Sequence, residues 1–468
     1  MTALLAATSL TVASPALAQD NASDVAAELA AMRTQVEGLE AKVKELEATK
    51  TAAATPSWKG APQFEDKASG FSFKPKGFIQ VDTGYVSNPN DALATKNLGY
   101  NTRARRIVFG AEGSLPGGFG YKAEFNFAGG EVDYEDVILT YAMKNAPIQF
   151  TVGNFYPLTG LDTMTSSRLG SFLERSQAND AFGFNRRLGA AVALVDPKND
   201  SYSLTAGIFG GGIKSGFNND TWQAAVRGTW SPRIGEKGRL HLGANFQHRE
   251  SQSDAQNVRY RARPFTQLTD VRFVDTGAIA AKSDDILGLE LGGVFGPVHF
   301  ASEAQQVWVK GHRPGTVFDG LDSAGGGAFF AGDPSFRSAY AEVGFFLTGE
   351  SRGYKGGKWD RTKVLKPFDK GGWGALQVNA RLDYLDLKDR VASGPIGAPN
   401  LVNGGTQTGY QLSAIWNPID YIRFLLQYTH SDVDGGPQAA LVKPGSTQAL
   451  TDRSYGVDTV ALRAQVEF

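Results

Sequence analysis

The chain has 468 residues, a formal net charge of −1, 41% hydrophobic residues and no cysteine. A disulfide-stapled scaffold and a cysteine zinc site are therefore excluded, and the near-zero charge gives no general attraction to nucleic acid or anionic lipid. Outside the extreme N-terminus, no apolar run reaches the roughly 18 residues that a membrane-spanning helix needs. A membrane β-barrel is still compatible with this composition, because its strands alternate lipid-facing and lumen-facing side chains.

Residues 1–18 are typical of a secretory signal peptide. An apolar stretch leads to Pro15 and the small-residue site Ala16-Leu17-Ala18, which predicts cleavage before Gln19. The positively charged start that such signals usually carry is missing. A short buried helix is the alternative, but the strongly polar segment that follows favours export.

Residues 19–50 predict a long helix with a narrow apolar seam. The seam residues recur at alternating spacings of four and three: Val25, Leu29, Met32, Val36, Leu39, Val43 and Leu46. About three heptads of this a/d pattern, flanked by Glu, Lys and Arg, indicate a short coiled coil that joins protomers in the periplasm, most simply three. The alternative is an amphipathic helix that docks on its own chain. Residues 51–75 then form a linker before the barrel, which we place at 76–468.

From Lys76 onward the hydrophobic period changes to two. Along residues 119–127, 220–230 and 373–387, apolar and aromatic side chains alternate with polar or charged ones. Such alternation predicts strands with one apolar face, but a soluble sandwich shows it as well.

The connections distinguish a barrel from a sandwich. We predict sixteen strands, an even number, at 77–86, 103–113, 119–127, 133–142, 147–153, 187–195, 201–209, 220–230, 239–250, 284–295, 297–310, 336–348, 373–387, 407–417, 419–430 and 453–468. Tight turns alternate with long loops, as in outer-membrane barrels, whose periplasmic turns are short and external loops long. One connection, 349–372, is long where a short turn is expected.

The C-terminus supports the same fold class, an all-β transmembrane antiparallel barrel. Val460, Leu462, Ala464, Val466 and Phe468 share one face of the last predicted strand, and the chain ends on Phe468. A terminal aromatic on an alternating strand resembles the signal read by the β-barrel assembly machinery, which we expect to be a partner.

Several segments resemble the phosphate-selective porin O and P family. They are RRIVFGAEGSLPGGFGYKAEFNF (106–127), EDVILTY (135–141), VGNFYPLTGLD (152–162), FLERS (172–176), GFFLTGESRGY (344–354), KPFDKGGWGALQVNARLDYLDL (366–387) and WNPIDYIRFLLQY (416–428). The resemblance implies a sixteen-stranded trimeric porin of the bacterial outer membrane with an N-terminal periplasmic segment. It also implies that basic residues on strand 103–113 lie in an anion path, which favours Arg106 with Arg103 or Arg105.

The residues themselves give further candidates for an ion pathway, because rows of Arg or Lys give a pore anion preference. Loop 154–186 is the expected constriction and carries Arg168 and Arg175, with Arg187 at the start of the next strand. Side chains alternate between the two faces of each predicted strand, and we call a residue's place in this alternation its parity. Parity places five bases on the lumen face: Lys122, Arg227, Arg381, Arg423 and Arg463. For each of them, pairing with a nearby acid is as good an explanation as attraction of an anion. Parity places Arg105 on the lipid side, near lipopolysaccharide phosphates.

The resulting expectation is passive diffusion of small anionic solutes, with phosphate or a similar oxyanion as the first candidate. The seven bases of 349–372, against three acids, form a basic vestibule or an ordinary solvated loop. Walker, HExxH and GxSxG motifs are lacking, and we expect no cofactor, no metal, no nucleic acid and no enzyme activity. The alternatives are a general or organic-solute porin, a barrel phospholipase and an adhesive surface protein.

Overall fold

The structure is a computed structural model that describes residues 18–52, 57–58, 60–94, 97–215, 220–251, 256–313, 327–391 and 399–468. Within the N-terminal helix, side chains are described for residues 25–45. The predicted signal peptide lies outside the described residues except for Ala18. None of the described helices is long and apolar enough to cross a membrane.

Sixteen long antiparallel strands form one closed sheet, which confirms the predicted fold class. They are β1 Phe71–Val86, β2 Gly99–Leu115, β3 Phe119–Asn126, β4 Asp133–Ala142, β5 Ile148–Phe155, β6 Arg187–Val195, β7 Tyr202–Phe209, β8 Gln223–Trp230, β9 Gly238–Glu250, β10 Ile279–Phe295, β11 Val298–Gly311, β12 Ser335–Phe346, β13 Ala375–Arg390, β14 Leu401–Ile419, β15 Ile422–Asp434 and β16 Ser454–Glu467. Each strand pairs with its neighbours in sequence, and each predicted strand overlaps one of these.

The barrel closes where β16 pairs with β1, with Val466 opposite Ile79. The terminal Phe468 extends this seam, since its backbone N–H and carbonyl each bond Gly77 at 3.0 Å. A side chain at Gly77 would meet the Phe468 ring at 2.6 Å, so the ring packs directly over the glycine backbone. The C-terminal residue is therefore part of the closed hydrogen-bonded wall.

The remaining elements are short, apart from the N-terminal helix α1 Ala18–Ala52. The others are α2 Leu161–Met164, α3 Gln177–Ala181 and α4 Ala439–Val442, with small strands at Ser57–Trp58, Pro62–Asp66, Arg233–Ile234, Asn257–Val258, Arg261–Ala262, Val274–Asp275, Gly353–Lys355 and Lys358–Asp360. Two of the small strands, Gly353–Lys355 and Lys358–Asp360, pair as a hairpin inside the anomalous connection 347–374, which we call the hairpin link.

Side chains of the barrel wall alternate between the outer and the inner face, as the sequence predicts. Along β8 the side chains of Val226 and Trp230 are exposed on the outer face, whereas Gln223, Arg227 and Thr229 are buried on the inner face. The six strands β3–β8 contain 8–10 residues each, whereas β9–β16 contain 12–19, so one side of the wall is built from shorter strands. Lipid-facing apolar rows and an inner polar face follow from the period of two.

The long loops fill one end of the barrel, which we call the loop end. The short turns lie at the opposite end, which we call the turn end. The largest buried cluster combines Phe182 from residues 156–186, Tyr260 from residues 256–278 and Phe336 from β12, each 1% exposed. We call the first segment the inward loop and the second the mouth loop. Their packing narrows the lumen from one end, so a solute path must pass between these loops and the wall.

Candidate solute pathway

The inward loop crosses the lumen and is tied to the wall on its far side. The Leu173 N–H donates to Gln427 Oε1 on β15 at 2.8 Å, and the Asp162 N–H donates to Glu303 Oε1 on β11 at 2.7 Å. The Gln177 N–H donates to Asp383 Oδ2 on β13 at 3.2 Å. Because inner-face side chains of distant strands hold its backbone, this loop is the constriction that the sequence predicted from its length.

Glu174 is the charged anchor of this loop. Arg105 binds its carboxylate at two points, Nε to Oε1 at 2.7 Å and Nη2 to Oε2 at 2.8 Å. Arg463 adds a contact of 3.2 Å while forming a two-point pair with Asp82 at 2.6 and 2.7 Å. Burial raises the pKa of the Glu174 carboxyl, but the neighbouring guanidinium groups of Arg105, Arg106 and Arg463 outweigh burial and hold that pKa well below its usual range.

The sequence-based placement of Arg105 on the lipid face is wrong. The pairing of β1 with β2 shifts by one residue, because Gln80 lies opposite Arg106 and Val81 lies opposite Ala104. Arg105 is therefore the extra residue of a β-bulge, which turns its side chain into the lumen, towards Glu174. Simple parity fails beyond such a bulge, and Arg103 faces the same interior because it lies opposite Asp82.

Besides Arg105 and Arg463, four of the predicted lumen-facing bases are paired with acids. Arg227 forms a two-point pair with Glu290 at 2.9 and 2.6 Å. Arg381 bonds Glu342 Oε2 at 2.5 Å and stacks over the rings of aromatic neighbours. Two further pairs involve Lys122 with Asp136 at 2.7 Å and Arg168 with Glu467 at 3.5 Å. Because the opposite charges neutralise each other, these bases organise the wall more than they attract anions.

The remaining predicted arginines have no carboxylate oxygen within 4.0 Å among the described residues: Arg103, Arg106, Arg175, Arg187 and Arg423. Arg106 donates to the neutral Gln80 Oε1 at 3.1 Å. Arg175 donates to two backbone carbonyls, those of Asp162 and Thr165, and to the Tyr156 hydroxyl. Arg103 and Arg187 likewise donate to backbone carbonyls. Hydrogen bonds to neutral acceptors do not offset the positive charge of these guanidinium groups, so these side chains are the candidates for attracting an anion.

Two cavities meet at Arg106 and Arg175. The one on the loop side is also lined by Arg105, Glu174 and Arg263. The one on the turn side is also lined by Lys122, Arg186 and Lys358, with acids that include Glu124 and Asp136. Both cavities share residues 165–167 of the inward loop as a wall. The two uncompensated arginines thus stand where the inward loop divides the path.

Sequence reasoning missed the arginines of the mouth loop. Arg259, Arg261 and Arg263 recur at every second position, with the buried Tyr260 and Ala262 between them. Tyr260 packs edge-on against Phe182, and Arg263 bonds Asp180, so this short extended run lies against the inward loop. The alternation of arginines is visible in the sequence as VRYRAR, residues 258–263. It lies within a predicted external loop, where an extended segment inside the barrel was not expected.

The hairpin link also lies inside the barrel, where the sequence favoured a vestibule or solvated loop. The Arg227 Nη2 donates to the Gly357 carbonyl at 2.8 Å, and the Trp359 N–H donates to Thr165 Oγ1 at 3.3 Å. Arg352 bonds Ser171 of the inward loop at 2.8 Å. The hairpin therefore meets the inward loop from the turn end and brings Lys358 to the turn-side cavity.

This architecture, a closed sixteen-stranded barrel with a constricting loop, defines a porin of the bacterial outer membrane. The chain belongs to the phosphate-selective porin O and P family, whose sequence profile matches residues 73–455. Porin family members with this fold are channel proteins. The predicted family resemblance is confirmed.

Individual relatives agree with this assignment. An uncharacterized protein of Caulobacter vibrioides is 33% identical over the whole chain and 96% of its own length. Porin O of Pseudomonas aeruginosa is 24% identical over 78% of this chain and 84% of its own. Among solved structures, in-vitro folded OmpT of Vibrio cholerae covers 86% of this chain and 99% of its own with a TM-score of 0.50 and 10% identity, which supports the fold alone.

Proposed function

We propose that the chain is a passive diffusion channel that prefers anions, with phosphate or a similar oxyanion as its first candidate solute. The observation that carries the proposal is the position of Arg106 and Arg175, which line both cavities and lack a carboxylate partner among the described residues. An anion that enters either cavity meets these two guanidinium groups, and a cation is repelled by them.

Oxyanion preference is supported by the chemistry of arginine. A guanidinium group presents a planar array of donors that can bind two phosphate oxygens at once, and it stays charged at any physiological pH. Of the three mouth-loop arginines, Arg259 and Arg263 are paired with acids, and Arg261, which has no carboxylate oxygen within 4.0 Å among the described residues, extends this chemistry towards the loop end. Porin O is the name of one relative, and the family description names phosphate, which agrees with the same solute class.

A general or organic-solute porin is the second candidate, favoured by the acids of the turn-side cavity. Glu124, Glu135 and Asp136 line that cavity beside the bases. All three are paired, Glu135 with Arg186, Glu124 with Lys122 and Asp136 with both bases, which limits the negative potential that they contribute. The acidic side chains therefore reduce selectivity without reversing it.

Partners and assembly follow from the outer surface. We propose a homotrimer whose subunits meet along the short-strand wall β3–β8, where Ala190, Ala206 and Ala224 form a shallow apolar depression flanked by Val192 and Ile208. Small residues on an apolar face permit close packing of wall against wall. Export by the signal peptide, assembly by the β-barrel machinery and contact with lipopolysaccharide complete the proposal, with no catalytic step.

Planar-bilayer electrophysiology of the full chain tests the function. Under a KCl gradient we expect single channels with an anion-biased reversal potential, and we expect millimolar phosphate to block the chloride current. A cation-biased reversal potential would overturn the selectivity. Absence of conductance would instead favour the adhesive protein, and lipid hydrolysis by the purified chain would favour the phospholipase.

A further inference from the structure

The N-terminal helix carries an apolar seam that nothing in the described part of the chain covers. The helix Ala18–Ala52 has 35 residues, which corresponds to a length of about 52 Å. Its six described seam side chains are each 51–58% exposed: Val25, Leu29, Met32, Val36, Leu39 and Val43. A row of half-exposed large apolar side chains on one helix is an interaction surface.

The width of the seam indicates what kind of surface covers it. Seam residues occupy two of every seven positions, and the flanking positions carry Glu28, Arg33, Glu40 and Lys42. A helix that lies in a lipid surface or against a globular core presents an apolar stripe about 100° wide or more. A strict two-in-seven seam is the geometry of a coiled coil, in which each seam residue fits between four residues of the facing helix.

The flanking charges are complementary between two copies of the same helix. Counting the heptads from the seam, Leu29 is an a position and Met32 a d position, so Glu28 is at g and Arg33 at the following e. In a parallel, in-register coiled coil, g of one helix faces the next e of its neighbour. Glu28 therefore faces Arg33 of a second copy, with opposite charge. The same spacing recurs in the sequence between Lys42 and Glu47.

Membrane orientation independently selects the parallel arrangement. Every copy of the barrel crosses the outer membrane in the same direction, and the C-terminal end of every helix is joined to β1 by fewer than 20 residues. Neighbouring helices therefore start from the same side of the membrane. An antiparallel pair of helices would need barrels that face opposite ways.

We infer that the helix binds the same helix of other copies of this chain as a parallel, in-register coiled coil, with Glu28–Arg33 pairs between chains. The number of helices, three, rests on the trimer proposed above. The pairing itself does not, because seam geometry and charge complementarity operate between any two copies.

The absence of cysteine from the chain allows a direct test. Leu39→Cys places a thiol at a d position, where copies of the same residue meet in a parallel coiled coil. Ala41→Cys places it at an f position on the outer face of the same helix. With the full chain in detergent, oxidation or a short bis-maleimide should link Leu39→Cys chains covalently and leave Ala41→Cys chains as monomers on denaturing gels.

The possible results show separately whether the inferred coiled coil or the proposed trimer is wrong. If native mass measurement gives a trimer but Leu39→Cys does not crosslink, or crosslinks no better than Ala41→Cys, the inferred coiled coil is refuted and the trimer stands. If Leu39→Cys crosslinks in a particle of dimeric mass, the coiled coil stands and the proposed trimer is wrong. Heat-modifiable gel mobility of each variant reports that the barrel has folded.

A charge swap tests the register in the Leu39→Cys background. Arg33→Glu places Glu28 opposite a glutamate and should lower the crosslinking yield at high temperature, where the coiled coil is close to melting. Adding Glu28→Arg reverses both partners and should restore the yield. A yield that falls further in the double variant would contradict the in-register pairing of these two positions.

Discussion

Replacing Arg106 by alanine is the most direct perturbation of the pathway. Its guanidinium group lines both cavities and, among the described residues, donates only to the neutral Gln80 side chain, so the substitution removes one uncompensated positive charge and leaves no acid of the described structure without its base. Removing a paired base such as Arg227 would instead expose the charge of Glu290 and mix two effects. Arg106 therefore isolates the charge that faces the solute.

The expected magnitude follows from Coulomb's law. At about 6 Å in a water-filled lumen of relative permittivity about 80, one unit charge stabilises an anion by roughly 0.7 kcal/mol and destabilises a cation equally. The ratio of anion to cation permeability should then fall by about 1.4 kcal/mol, which is tenfold. At roughly 1 M salt the Debye length shrinks to about 3 Å, and the change should be severalfold smaller.

Reversal potentials in planar bilayers measure this ratio at low and high salt. Arg337→Ala is the control for charge outside the lumen, because it removes a positive charge from the outer face of β12, where the side chain is 66% exposed and the Asp386 that it leaves unpaired also faces away from the lumen. Arg106→Lys should keep the ratio but weaken phosphate block, since an ammonium group cannot bind two oxygens in a fixed plane. An unchanged ratio in Arg106→Ala, or an equal loss in Arg337→Ala, would refute the assignment of selectivity to the lumen.

Three other predictions test the constriction. Glu174→Ala leaves Arg105 without a carboxylate partner, whereas Arg463 keeps its pair with Asp82. The anion-to-cation permeability ratio should therefore rise, opposite in sign to Arg106→Ala, and a fall in the measured ratio would contradict the role of Glu174 as an anchor. Replacing residues 353–360 by a short glycine turn should raise single-channel conductance by opening the turn end, and an unchanged conductance would place the hairpin outside the path. Because the folded-state pKa of Glu174 is depressed, its stabilising contribution is present above the unfolded value of about 4.3 and is lost only as pH falls further; the difference in reversal potential between Glu174→Ala and the unmodified chain should therefore be the same from about pH 8 to 5, and a difference that varied with pH in that window would contradict an ionised Glu174.

The barrel was predictable because the alternation of side chains is local. Each predicted strand overlaps a real one, and the rhythm of turns and loops identified the closed sheet without knowledge of any contact. Parity also placed Arg227 and Arg381 correctly, since no bulge interrupts their strands near them. The one-residue shift beside Arg105 could not be found in this way, because a bulge depends on how two strands pair and not on either one alone.

Pairing inside the lumen was not predictable for a related reason. Arg463 and Asp82 are separated by 381 positions, and Arg105 and Glu174 by 69. Only closure of the barrel and folding of the inward loop bring these groups together. The hairpin link illustrates the same limit, since its length and basic composition were visible in the sequence but its position inside the barrel depends on bonds to two distant segments.

A channel with a nearly neutral sequence can nevertheless select anions over cations. The net charge counts all ionised side chains, whereas the potential in the path depends on which of them lack a partner of opposite charge. Acids such as Glu290 and Glu342 each hold a base on the inner wall, so these carboxylates contribute to the formal charge while adding little field in the path. The arginines that bond backbone carbonyls or neutral side chains keep their full charge. In the proposed channel, the balance of bases without an acidic partner and acids without a basic partner therefore sets the potential of the lumen, and the net charge of the sequence does not.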